Sequence, residues 1–392
     1  LQFYIPLIFI LFNILLSAQT TKEELLSDLR FAGGLYSPYI FTNSVTTPAP
    51  EGYTPFYISH YGRHGSRWVI SPDCHLIPIK ILSNADSTGK LTELGKSLLQ
   101  RMKIAAEDAA DRYGDLSPLG AKEHKQIAER MFKSFPEIFN GKDDVVVHSR
   151  STQVPRCIIS MASNNERLNE LNPKIENIME ATKRDWYLNN SAEIKRDTVK
   201  MIISNFMKTH FNPTRFIASL FTDTVYANEL VKDQRDFAYQ VFAAAINLAN
   251  LDHLKISMLD VFTDDEIFTI WQYSNIYMYS LVGPSVVNGK AAMESAEGLL
   301  KNIIDCADAA INKGEVSADL RFGHDTYIIP LLALMDIKDM NVAEADPEKI
   351  YLVWSNFKAS PMGTNLQMIF YNNDKTDDVL VKFLLCEKET EI

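Results

Sequence analysis

Two hydrophobic periods alternate along this chain. Short apolar runs bounded by turn residues read as strands: Phe56-Tyr57-Ile58, the run Asp144 to Ser149, and Ala318 to Gly323. The second, Val-Val-Val at its centre, reads as a parallel strand covered on both faces. Apolar positions three and four apart mark helices instead. Ile127, Met131 and Phe132 follow a Ser117-Pro118 start, where serine caps and proline opens a helix. Phe237 to Leu248, Thr263 to Trp271, and Leu299 to Ile311 repeat the helical spacing. Strand signals fade between 165 and 275, and three more strands, 350–354, 365–372 and 379–386, finish the chain. The pattern predicts an α/β fold: a mostly parallel central sheet flanked by helices. It is built from 19–164 and 276–392, with 165–275 inserted as a helical domain over the sheet edge.

Leu1 to Ala18 is apolar, ends in small residues, and precedes polar Thr20-Thr21-Lys22-Glu23-Glu24. That reads as a signal peptide, so the expectation is an exported protein, periplasmic or secreted. Residues 1–18 are short for a membrane span, and no second long apolar run follows, so no membrane partner is expected. The formal net charge of −11 argues against a nucleic-acid partner. Any anionic ligand must then be held by a local basic pocket. Cys74, Cys157, Cys306 and Cys386 permit two disulfides in any of three pairings, or four free thiols, and their spacing makes no zinc pattern.

The chemistry gathers where strands end. The first run leads into Arg63-His64-Gly65-Ser66-Arg67. Guanidiniums match phosphate oxygens in planar, permanently charged forks, glycine lets backbone approach a ligand, and a neutral imidazole between them can attack phosphorus. The alternative is a basic loop with a surface histidine. Against it stand four specified residues at one strand end and His324-Asp325 at the end of another.

Arg63-His64-Gly65-Ser66-Arg67, with Phe322-Gly323-His324-Asp325, resembles the histidine phosphatase superfamily in its acid phosphatase and phytase branch. The phosphoglycerate mutase branch usually has Glu after Arg-His-Gly, where this chain has Ser66. Further segments are similar to the multiple inositol polyphosphate phosphatases: Asp260 to Thr263, Trp271 with Asn275, and Pro330 to Met335. Two departures stand out. His324-Asp325-Thr326 has the form of acid phosphatases and bacterial phytases rather than His-Ala-Glu, and Cys386 stands where Asn is common. The resemblance implies a phosphoglycerate mutase-like fold. It also implies a phosphomonoester hydrolase working through phosphohistidine, most similar to enzymes of inositol polyphosphates. The alternatives are a general acid phosphatase on sugar phosphates or nucleotides, or a phosphoester-binding protein without turnover.

Carried over residue by residue, the resemblance makes His64 the nucleophile and Asp325 the proton donor. Arg63, Arg67, Arg150 and His324 become phosphate ligands. Arg150 enters through Arg150-Ser151-Thr152, whose strand feeds the same sheet edge. Arg156 stands where the family's second arginine stands and could as easily pair with a carboxylate. His148 is read as structural. Lys183 and Arg184, beside Trp186, either touch substrate phosphates or form a solvated face. No cofactor and no metal are expected, and the partner is a small phosphorylated molecule bound by a monomer. The segment around Ser117 to Lys122 adds to the resemblance but reads as no more than a capped core helix.

Overall fold

Parallel strands joined through helices bring their carboxyl ends to one edge, and that edge positions everything below. The computed structural model describes residues 20–141, 145–189 and 192–392. The strands are β1 (Tyr53–Arg63), β2 (Val145–Ser151), β3 (Ile175–Glu180), β4 (Ala318–Gly323), β5 (Asn365–Asn373), β6 (Thr376–Leu385) and β7 (Lys388–Thr390), of which β3 and β7 were not expected. They form one sheet in the order β3-β2-β4-β1-β5-β6-β7. β3, β2, β4 and β1 run parallel, whereas β1–β5, β5–β6 and β6–β7 are antiparallel, so the sheet is mixed. In the β1–β4 register Arg63 lies opposite Gly323. The residues after them, His64 and His324, therefore leave the sheet side by side.

Alternation along the strands divides the core. Ile58, Val145, Val147, Leu320 and Phe322 face the helices Pro118–Ser134 and Pro155–Leu171, burying Met131, Met161 and Leu168. Tyr57 and Tyr61 face the other way, onto Ile328 and Leu331 of helix Asp325–Leu334 and Leu299 and Ile303 of helix Gly289–Lys313. A third apolar cluster fills a helical layer. It joins Leu82 and Leu98, from the helices Asp73–Ser87 and Glu93–Ala109, to Phe216, Phe242 and Trp271.

Some expectations change. Segment 165–275 is not helical throughout, because it contains β3, which pairs in parallel with β2. Its limits fall inside the helices Pro155–Leu171 and Asp264–Val282, and its apolar residues share their core with the 73–109 helices. Residues 350–354 are not a strand: Ile350–Val353 is a short helix. Asn275 takes their place in the backbone pairing, donating to the Trp354 carbonyl and accepting from Asn356 N–H. All four cysteines are free thiols. The expected signal peptide, 1–18, lies outside the described residues, as does Asp144. Among the described residues no helix is long and apolar enough to cross a membrane.

Candidate active site

The loop after β1 is pinned by backbone on three sides. Arg63 N–H donates to Thr364 O (2.7 Å), His64 N–H to Gly323 O (3.0 Å), and Gly363 N–H to His64 O (3.0 Å). On its fourth side it lies directly on helix Pro118–Ser134. A Cβ on Gly65 would sit 2.5 Å from Gly120 O, and one on Gly120 would sit 2.2 Å from Ser66 O, so this approach needs glycine on both sides.

His64 Nδ1 lies 2.9 Å from Gly65 O, an acceptor, so Nδ1 carries the hydrogen and Nε2 keeps a lone pair. Burial first, then the charges of Arg63, Arg67 and Arg156, hold its pKa well below the usual histidine value. The residue is thus a neutral imidazole whose Nδ1 hydrogen bond fixes its tautomer. The His324 ring lies 5.7 Å away, centroid to centroid. It meets Thr152 Oγ1 at 3.2 Å through Nε2, and Cys157 Sγ lies 3.7 Å from the same nitrogen. Burial lowers the His324 pKa to about 4, against the opposing pull of Asp325.

Arg63 is fully buried. Its Nη1 donates to Leu35 O and Ser360 O, both at 2.6 Å, and its Nη2 to Asp325 Oδ2 at 2.8 Å. Arg67 donates to Trp68 O and stacks its guanidinium 4.6 Å from the Tyr36 ring centre. Arg156, in the first turn of helix Pro155–Leu171, makes a long 3.4 Å bond to Gly114 O. In all three arginines the Nε–H is buried without an acceptor. Three buried cationic donors without acceptors are costly. Asp325 opens helix Asp325–Leu334. Burial alone would raise its pKa, but Arg63, His324 and Arg67 outweigh burial and hold the carboxyl below its ordinary value.

The structure thus brings together His64, Arg63, Arg67, His324 and Asp325. It does not bring Arg150 to them. Arg150 Nη1 donates to Asp319 Oδ1 at 2.5 Å, Glu180 lies 3.7 Å from its Nε, and Asp319 also accepts from Tyr57 Oη at 2.8 Å. The third guanidinium whose charge bears on His64 is that of Arg156. Lys183 and Arg184 sit exposed on the short 3-10 helix Lys183–Leu188, which Thr182 and Asp185 cap reciprocally. Sequence reasoning passed over Tyr36 and Leu35, which hold the two loop arginines, and no local pattern marks them.

No family model matches the chain, and no curated protein sequence matches it. Solved structures do. The multiple inositol polyphosphate phosphatase of Bifidobacterium longum, solved with inositol hexasulfate, superposes with a TM-score of 0.72 at 17% identity, over 91% of this chain and 92% of that one. The phytase of D. castellii gives 0.66 at 16% identity, over 93% and 80%. The phytase of Citrobacter braakii gives 0.51 at 13%, over 85% of each chain. The chain has the α/β fold these phosphatases share.

Proposed function

We propose that the chain is a phosphomonoester hydrolase of the histidine acid phosphatase type, acting through a phosphohistidine on inositol polyphosphates. The observation that carries this is the arrangement around His64: a neutral imidazole with a free Nε2, ringed by three guanidiniums whose Nε–H donors lack acceptors.

In this reading the His64 Nε2 lone pair attacks phosphorus, forming the N–P bond as the ester P–O bond breaks. Arg63, Arg67, Arg156 and His324 donate to the three equatorial oxygens and stabilise the charge spread over them. The leaving oxygen needs a proton, and Asp325 is placed to deliver it. Its carboxyl is ionised in the unliganded pocket. The proton therefore arrives with the substrate: the singly protonated phosphoester hands it to Asp325, and Asp325 hands it on to the leaving oxygen. Water then attacks phosphorus, passes a proton to Asp325, and releases His64 and phosphate. The guanidiniums supply charge that divalent ions supply in other phosphoryl-transfer sites.

The inositol polyphosphate assignment draws on the fold shared with the Bifidobacterium and yeast enzymes and on the sequence segments similar to that group. Phosphate release from phytate, glucose 1-phosphate and a nucleotide tests it. Phytate should be preferred by at least about tenfold in kcat/KM. Preference for glucose 1-phosphate or the nucleotide would make this a general acid phosphatase, and binding without release would make it a phosphoester-binding protein.

A further inference from the structure

Helix Pro118–Ser134 touches the His64 loop more closely than any apolar contact requires. Ser117 N–H and Ser117 Oγ both donate to Ser66 O, at 2.9 and 3.1 Å, and Arg67 makes a backbone bridge to Leu116. One turn in, Glu123 is 2% exposed and faces the loop. Its Oε2 accepts from Ser66 N–H at 2.7 Å, while its Oε1 accepts from Ser66 Oγ at 2.7 Å and from Tyr39 N–H at 2.8 Å. Among the described residues no cation pairs with this carboxylate. Two of its donors are backbone N–H groups on different oxygens and cannot accept a proton in return, so the pattern suits the ionised form.

We propose that Glu123 is a positioning residue for catalysis: a buried carboxylate that fixes the peptide between Gly65 and Arg67, and with it the spacing of His64 and Arg67 around phosphorus. The inference rests on the functional reading above but uses a different set of contacts. A buried charge with no cation in contact is costly, and a neutral side chain would have packed beneath the loop at lower cost. What the carboxylate adds is acceptor capacity. It ties a catalytic loop, a helix and the strap at Tyr39 to one point. The strap matters because its neighbours Leu35 and Tyr36 hold Arg63 and Arg67. Glu123 is therefore the node through which both loop arginines are registered against His64. Burial pushes the Glu123 pKa up, while the Ser66 and Tyr39 donors and the charge of Arg63 pull it back towards the ionised form.

Glu123→Gln separates positioning from mere support. The amide keeps the shape but cannot accept on both sides, so at least one of the three donors faces an NH2 group. Misplacing the loop by a fraction of an ångström should lower kcat by roughly ten- to a hundredfold. Removing the negative charge should leave the inhibition constant of inorganic phosphate unchanged or tighter. Ser66→Ala, which deletes one donor and keeps the charge, should lower kcat by less, with phosphate inhibition unchanged. Both variants should unfold cooperatively above the assay temperature. A Glu123→Gln variant with kcat within twofold of wild type would overturn the inference. So would a loss of kcat matched by equally weakened phosphate inhibition, which is the behaviour of a residue that only holds the fold. If wild-type protein hydrolysed no phosphomonoester, the functional reading would fall first. Calorimetric phosphate binding would still decide the role of Glu123, with weaker binding by Glu123→Gln contradicting it.

Discussion

Replacing Arg156 and Arg150 separately by alanine distinguishes the pocket that the structure presents from the one that motif matching suggests. Arg156 has an unpaired buried Nε–H and its charge bears on His64, His324 and Arg63. A unit charge about 4 Å from another gives about 4 kcal/mol of gross attraction at an effective dielectric near 20. Part of that is already present in the ground state. The part specific to the transition state should be about 3 kcal/mol, within the scale seen when one preorganised donor is removed. Arg156→Ala should therefore lose roughly two to three orders of magnitude in kcat/KM, with a small change in stability. Arg150 predicts the reverse. Removing it strips the ion pair from Asp319, whose side chain is only 4% exposed. Breaking a buried pair costs about 3 to 5 kcal/mol, and the Tyr57 hydroxyl still bonded to Asp319 argues for the lower figure. With about 2.1 cal/mol/K of unfolding entropy per residue, a unit of ~370 residues loses roughly 4 °C in Tm for ~3 kcal/mol. The kcat/KM of Arg150→Ala should stay within about threefold of wild type. Steady-state hydrolysis and calorimetric melting on the same preparations read both quantities. A thousandfold loss in Arg150→Ala beside a fully active Arg156→Ala would refute the argument.

Asp325→Asn should lose roughly two to four orders of magnitude on an inositol phosphate, whose alkoxide needs a proton. It should lose distinctly less on p-nitrophenyl phosphate, and equal losses would make Asp325 an orienting residue. Because Asp325 is ionised before substrate binds, the proton comes with the ester. The kcat/KM should then fall as pH rises through about 6, where a phosphomonoester loses its second proton, and a flat profile from pH 5 to 7 would contradict this. His60 and His124 are buried, and burial lowers their pKa values to about 3 and about 4. In the unfolded chain both protonate near 6.5, so their contribution to stability is whole above that pH and erodes as pH falls towards the folded values. At pH 4.5 the loss should reach about 2 to 3 kcal/mol each. Urea melts from pH 7 to 4.5 measure it, and the His60→Asn, His124→Gln double variant should show a shallower pH dependence. Phosphate release should be unaffected by EDTA and strongly inhibited by vanadate or tungstate, and EDTA inactivation reversed by a divalent ion would count against the guanidinium account.

The His64 loop was legible because its information is local. An apolar strand followed by Arg63-His64-Gly65 declares its own geometry, and His324-Asp325 does the same after β4. The pairing of the two loops follows from the parallel Arg63 and Gly323 register. Arg150 and Arg156 could not be ranked this way. Arg150 sits near the end of β2 and Arg156 opens the helix after it, and the choice depends on Asp319 of β4, some 170 residues away in the chain, which accepts from Arg150. The helix at Ser117 was read correctly as capped, yet its role as the bed of the His64 loop was hidden. That role depends on Gly65 and Gly120 meeting backbone to backbone. Residues 350–354 carry strand propensity, but side-chain hydrogen bonds from Asn275 claim the flanking backbone, a contact no window around 350 contains. The helical layer was half seen, since 165–275 contributes one side of a core whose other side comes from 73–109.

The central claim is that His64 becomes phosphorylated during turnover. Rapid mixing with substrate, quenching in denaturing alkali where phosphohistidine survives, and peptide mass spectrometry should find one phosphate on the peptide containing His64. His64→Ala, folded as judged by its melt, should carry none and should lose at least about three orders of magnitude in turnover. Phosphate found on another residue, or a His64→Ala variant with near wild-type activity, would contradict the account.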